Sequence, residues 1–535
     1  MSDEPEIRRR SRFRIGVCGS SAILATILSV VLVRGALAKR LRTDPPGSVA
    51  ASVSELTGEF DRDPDAAVAA FCGDCHATPR PASFPRDAWH DEVQKGYQFY
   101  SKSGRADLKV PPVPWTVAYF RSRAPEHLSF PTPAEAAGPL GTSFRREQIP
   151  LNTDVDLQPA VANLLWTALV SGQGETMLVS DMRNGRIVSL NLRDRSVAPQ
   201  VLTRLQNPSR MERSDVDGDG TMDLIVADLG SLSASDHNRG QVVMYLQRAG
   251  LDSYSPHVIA SKLCRVADVR SGDFDGDGRP ELLVAEFGNY TTGKILLLKF
   301  GPQGRDWVNE VIVDARPGAI DARPCDLDGD GRLDFVAVIS QEYEQVVAYM
   351  NQGNLQFAAR TLWAGPDLTF GSSGIELADL DRDGDVDILY TNGDSFDNMY
   401  VNPSHGIQWL ENTGKLQFTY HRLTDMLGAY RAVAADVDRD GDQDILAVAW
   451  LPEQILPVEA AKLPKASIVC LEQTDARVFV RHTLETGFPY YPAIATGDFD
   501  GDGDPDFAVG PQVAYASSVP RWLAVWWNEG KPTAK

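Results

Sequence analysis

The sequence predicts an all-β repeat fold over residues 143–530, preceded by a small all-α domain and an apolar N-terminal helix. Three observations carry that expectation. A nine-residue acidic loop recurs six times, its starts 53 to 62 residues apart. A Cys-x-x-Cys-His motif stands at Cys72, Cys75 and His76. An uncharged, largely apolar stretch, residues 15–33, follows a basic N-terminus. A loop recurring on a long, nearly fixed period marks a repeat architecture, because each unit buries its apolar face only by stacking on a neighbour.

In chain order, residues 1–14 form a basic tail containing Arg8, Arg9, Arg10, Arg12 and Arg14. Residues 15–33 are long enough to span a bilayer as a helix. The basic flank should stay cytoplasmic, which places the bulk of the chain outside. A cleavable signal sequence is the rival reading, because Ala36-Leu37-Ala38 resembles a peptidase site. Either reading exports the chain, as a single-pass membrane protein or a released one, to the periplasm or cell surface. Residues 39–59 form a polar spacer containing Pro and Ser.

Residues 60–130 hold the Cys-x-x-Cys-His motif, the pattern of covalent c-type haem attachment. Two thiols form thioethers to the porphyrin, and the next imidazole lies under the iron. A thioredoxin-like dithiol would need a βαβ surround, and a zinc knuckle a second ligand pair; neither is nearby. Helices are expected at 65–77, carrying the motif, at 87–100 and at 114–122. The segment resembles the small class I cytochromes c, whose closing helix PWTVAYFRS matches with its aromatics. It departs from them in the sixth ligand: no Met lies between Met1 and Met177. His90 and His127 are the local substitutes, and an open or water-bound position is the alternative. The absence of a Met ligand favours a lower reduction potential.

The acidic loops place carboxylates at positions 1, 3, 5 and 9. They are Asp215, Asp217, Asp219 and Asp223; Asp273, Asp275, Asp277 and Glu281; and Asp326, Asp328, Asp330 and Asp334. The second half of the chain adds Asp379, Asp381, Asp383 and Asp387; Asp436, Asp438, Asp440 and Asp444; and Asp498, Asp500, Asp502 and Asp506. Position 6 is Gly in every copy, as a sharp turn with positive φ requires. Such a loop offers a cage of hard oxygens suited to Ca²⁺, up to six ions in all. No Glu stands at position 12 and short apolar β-type runs follow, so these are not EF-hands. A solvated acidic turn is the competing reading, and six copies with an unvarying Gly argue against it. At these residues the chain resembles the FG-GAP/VCBS repeat family, found in integrin α-chain propellers and many bacterial surface proteins. The resemblance implies a β-propeller with Ca²⁺ held between the first two strands of a blade. It does not imply one function.

Each period holds four strands, so six acidic loops make six calcium-binding blades. Residues 161–205 repeat the strand rhythm without an acidic loop, a degenerate first blade. The last blade has three strands to Asn528, and residues 143–151 are the expected fourth. Pairing them closes a seven-bladed ring, which protects sheet edges. The net charge of −21 argues against nucleic acid, and six bound Ca²⁺ would bring it to about −9. Of six cysteines, Cys72 and Cys75 go to haem and Cys18 lies in the apolar stretch; Cys264, Cys325 and Cys470 read as small buried residues. No P-loop, G-x-S-x-G or H-E-x-x-H motif is present. Unequal loops at 229–239, 393–406, 451–466 and 511–520 read either as ordinary loop drift or as a partner or substrate face. The functional expectation is a membrane-anchored, extracytoplasmic cytochrome for single-electron transfer, its propeller docking a redox or surface protein partner. The alternatives are a propeller-based oxidoreductase that passes substrate electrons to its own haem, and an adhesion module with an accessory haem.

Overall fold

A computed structural model describes residues 60–74, 76–151, 157–169, 174–247, 254–301, 307–396, 399–487, 489–513 and 522–531. Residues 1–59, with the expected basic tail, anchor or signal sequence and spacer, lie outside the described residues. Among the described residues no helix is long and apolar enough to cross a membrane.

Seven four-stranded antiparallel sheets form the blades of a propeller. Blade 1 comprises Val161–Ala168, Glu175–Asp181, Arg186–Leu190 and Gln200–Arg204; blade 2 comprises Pro208–Ser214, Asp223–Asp228, Gly240–Gln247 and Tyr254–Leu263. Blade 3 runs from Val266–Gly272 to Trp307–Asp314, blade 4 from Ala319–Cys325 to Phe357–Ala364, and blade 5 from Ser372–Ala378 to Phe418–Asp425. Blade 6 runs from Ala429–Ala435 to Val478–Thr486. Blade 7 joins Ala493–Gly497, Asp506–Gly510 and Trp522–Asn528 to the upstream strand Phe144–Pro150. That strand pairs in register from Phe144 with Asn528 to Pro150 with Trp522, so the ring closes as the sequence predicts.

The second strand of each acidic blade is buried along its length, because blades flank it on both faces. Its sequence is accordingly a near-continuous apolar run rather than an alternating one. Position 2 of every acidic loop is apolar and buried: Val216, Phe274, Leu327, Leu380, Val437 and Phe499. Each enters the core shared with the next blade. Phe274 packs with Phe335 and Tyr349 of blade 4, and Phe499 packs with Leu164 and Val179 of blade 1. The loops thus lock blade to blade and, at Phe499, close the ring.

Among the described residues three α-helices precede the propeller: α1 (Pro64–Cys72), α2 (Trp89–Lys102) and α3 (Val113–Arg123). Trp89 stacks on Phe120 at 4.0 Å between centroids and 9° between planes, joining α2 to α3. Val68, Phe84 and Val93 complete a small buried core. α1 is shorter than expected and ends at Cys72 instead of continuing through the motif to residue 77. The reason is Gly73: it donates the last helical bond to the Ala69 carbonyl, and a Cβ there would lie 2.3 Å from Thr78 Oγ1 as the chain folds back. His76 therefore sits in a turn.

Residues 65–535 form one compact unit. In an up-and-down blade, the connections between strands 2 and 3 and between successive blades share one face, opposite the acidic loops. The helices rest on that first face. Ser83 Oγ donates to Asp367 Oδ2 at 2.6 Å, Phe84 meets Tyr400 edge-on at 5.1 Å, and Phe99 meets Tyr290 at 4.7 Å. Two of the long loops build this platform together: Val401 N–H donates to the Leu456 carbonyl at 2.7 Å, over a core of Val401, Leu451, Ile455 and Ala460.

Candidate functional site

The acidic loops fold alike because their backbone bonds are supplied from within. In loop 326–334, the position-1 carboxylate of Asp326 accepts the N–H groups of Asp330 at 3.1 Å and Gly331 at 2.9 Å. Asp330, at position 5, accepts the N–H of Arg332 at 2.9 Å. Position 9 opens the second strand and clamps two segments: Asp334 accepts Leu327 N–H at 3.1 Å and Asn351 N–H at 2.7 Å. The same position-9 clamp recurs at Asp387, Asp444 and Asp506. The position-6 glycines have φ between +84° and +98°, as expected.

Positions 1, 3 and 9 converge. Their carboxylate oxygens lie mutually within 4.8 Å in Asp215/Asp217/Asp223, Asp273/Asp275/Glu281, Asp326/Asp328/Asp334, Asp379/Asp381/Asp387 and Asp436/Asp438/Asp444. Such groups can hold a cation. Two features fit one. Asp275 Oδ1 and Asp381 Oδ1 are buried with no hydrogen-bond donor. Burial also pushes the Asp387 and Asp444 carboxyls up to about 7 and Asp506 to about 6, a cost that a nearby positive charge would offset.

Loop 273–281 holds a lysine among three of its carboxylates, whereas Arg477 reaches only Asp381 of loop 379–387, at 3.2 Å. The Lys299 ammonium, from the third strand of its own blade, contacts Asp275, lies 2.9 Å from Asp277 and 3.3 Å from Glu281. This loop carries its own cation, which a metal ion would have to displace.

The Cys72–His76 motif lies on the face opposite these loops. Cys75 lies outside the described residues. Burial pushes the Cys72 thiol up to about 11, and Tyr97, Val113, Trp115 and Val117 belong to the same apolar cluster. His76 Nδ1 lies 2.8 Å from the Ala77 carbonyl; in the tautomer that donates this bond, Nε2 carries the lone pair. A backbone carbonyl holding the far nitrogen is how metal-ligating histidines are oriented. Nε2 faces the propeller, 3.8 Å from Glu342 Oε2. The apolar surround belongs to Cys72, whereas His76 faces a carboxylate; a haem, if attached, would be held by Cys72, Cys75 and His76 and would supply one-electron chemistry. His90 is on α2, half exposed and 3.4 Å from Asp91 Oδ1. His127 is exposed, and Met177 is buried in a blade 1 strand. Cys264, Cys325 and Cys470 are free thiols, Cys470 fully buried.

One cluster escaped the sequence reading. A cavity of about 150 Å³ opens on the helix-bearing face at the propeller axis, with Arg210, Arg265 and Arg431 in its wall. All three stand at the entry of an innermost strand, and that recurrence on the blade period was the available signal.

A family model described as FG-GAP-like repeat matches residues 215–284 and 326–390, and the FG-GAP repeat model matches residues 490–519. No curated protein matches the chain. The chain therefore carries FG-GAP repeats within a seven-bladed propeller.

Proposed function

We propose that this protein is a membrane-anchored, extracytoplasmic c-type cytochrome that moves single electrons, with calcium in the acidic loops stiffening the propeller that carries it. One observation supports this most: His76 Nε2 is oriented by the Ala77 carbonyl and faces Glu342 of the propeller, beside a half-buried Cys72 in an aromatic surround. Cys72, Cys75 and His76 would hold a haem beside the propeller, and the long loops serve as a platform for the helices that carry them. The exposed placement of His90 and His127 favours an open sixth position. Spectroelectrochemistry tests the reading. The purified protein should show one reversible one-electron couple, absent from the Cys72→Ala, Cys75→Ala double variant. Its reduced form should bind CO as readily as His90→Ala does. A haem-free protein without a couple would refute the proposal.

A second reading is favoured by the cavity. Gln341 lines it, and its chain neighbour Glu342 meets His76. A molecule bound in the cavity would lie close to the haem-attachment motif, as an oxidoreductase that feeds its own haem requires.

A further inference from the structure

The innermost strands line the propeller axis with charge in two layers. Deeper in, Arg270 pairs with Glu212 at 3.0 Å and with Asp268, and Arg323 pairs with Asp321 at 3.0 Å and with Glu376. Nearer the helix-bearing face stand Arg210 and Arg431, and both turn to the same carboxylate, Asp321. Asp321 is fully buried and takes no part in the cavity wall. Burial alone would raise its carboxyl, but Arg323, Arg210 and Arg431 outweigh that and hold it well below the usual range. Asp321 thus contacts three arginines, of which Arg323 also pairs with Glu376. Burial, then Arg431, pushes the Arg210 guanidinium down to about 9, against the opposing pull of Asp321 and Asp268.

The cavity wall itself is richer in positive than in negative side chains. Arg210, Arg265 and Arg431 line it against one carboxylate, Asp394. Arg210 and Arg265 are 7% and 8% exposed, so their charge is largely withdrawn from water. The site is also built by the backbone. Register shifts between Val161 and Asn163, Val266 and Asp268, Ala319 and Asp321, and Ala429 and Arg431 turn Ala162, Ala267, Ile320 and Tyr430 into the cavity. Bulges that re-aim side chains in this way concentrate at binding sites. Gly374 makes room for Arg431, whose Nη1 lies 2.0 Å from where a Cβ would stand. Beside the arginines are Phe396, Tyr430 and Trp450.

We infer that this cavity binds a small organic carboxylate, its charge taken by Arg210 and Arg431 and its apolar part by Phe396, Tyr430 and Trp450. Guanidinium groups match a carboxylate in geometry and charge, and partial desolvation strengthens the pairing. An inorganic phosphate would satisfy the arginines but leave the aromatic wall uncovered. The inference stands on the propeller alone, so its failure would leave the haem reading untouched.

Calorimetry on the full-length protein with acetate, butyrate and benzoate tests it, with benzamide and phosphate as comparisons. Benzoate should bind saturably, and more tightly than benzamide, acetate or phosphate. Arg431→Gln should weaken benzoate at least tenfold, while the exposed Arg360→Gln leaves it unchanged. Asp394 accepts the N–H of Phe396 at 3.0 Å, a bond Asn can also accept, so Asp394→Asn keeps the loop and should tighten benzoate several-fold. This second variant guards against misfolding of the first. No saturable binding by any of the three carboxylates, equal binding of benzamide, tighter binding of phosphate, or an Asp394→Asn variant that binds no more tightly would each overturn the inference.

Discussion

Lys299 shows how one side chain can change a site that the sequence repeats faithfully. Its ammonium is raised because the bonds to Asp275 and Asp277 outweigh the burial that opposes them. Lys299→Met should free loop 273–281, and the number of calcium ions per chain at saturation should rise by one; an unchanged number would mean that calcium already displaces the lysine. The loops themselves were legible because all their parts lie within nine residues. Lys299 was not, since it comes from a later strand and no local pattern ties it to the carboxylates. Glu344 is a second residue whose behaviour only burial reveals. It accepts Ser372 N–H at 2.7 Å, and burial pushes its carboxyl up to about 8. Unfolded, it titrates near pH ~4.3. The native state therefore holds the proton through that window, and stability falls as pH rises from about 4.3 towards 8. Glu344→Gln keeps the acceptor and loses the titration. Its unfolding free energy should fall less than wild type's between pH 5 and pH 8, a difference on the order of 2–4 kcal/mol. Parallel pH profiles would show that Glu344 does not carry this dependence.

Among elements, the strands follow the sequence closely and the motif helix does not. Continuous apolar runs after each acidic loop marked the second strands, and residues 143–151 matched an outer strand, so closure was legible. The helix through residue 77 failed at Gly73, where a close approach to Thr78 matters more than helical periodicity. The position-2 plugs were visible as apolar letters between aspartates, but their insertion into the next blade is a tertiary fact. Phe499 is the test case, since it joins the last blade to the first. Phe499→Ala should cost about 3–5 kcal/mol in chemical denaturation, as for other large-to-small core changes. Met222→Ala, in the same kind of loop but 43% exposed, should cost under about 0.5 kcal/mol. Equal costs would mean that the plugs do not hold neighbouring blades together.

At the scale of the whole molecule, two faces divide the work. One carries the acidic loops; the other carries the helices and the arginine-lined cavity. Extracellular-type calcium sites with dissociation constants of ~10⁻⁴ M contribute about 1.4 kcal/mol each at ~1 mM Ca²⁺. Five loops without a resident ammonium would then add about 7 kcal/mol, comparable to the whole stability of a domain. Chelation should lower the melting temperature by many degrees, and an unchanged melt would exclude a structural role for calcium. The fold was legible from its period, whereas the axial cavity was not, because its wall draws a few residues from every blade. The helices' seat on that face makes the Cys-x-x-Cys-His motif and the propeller parts of one unit, and the proposed function requires covalent haem at Cys72 and Cys75. The intact mass of the denatured protein, made in cells that mature c-type cytochromes, tests this most directly. The expected mass is that of the polypeptide plus one haem, reduced to the polypeptide alone in the Cys72→Ala, Cys75→Ala variant. A wild-type mass equal to the bare polypeptide would contradict it.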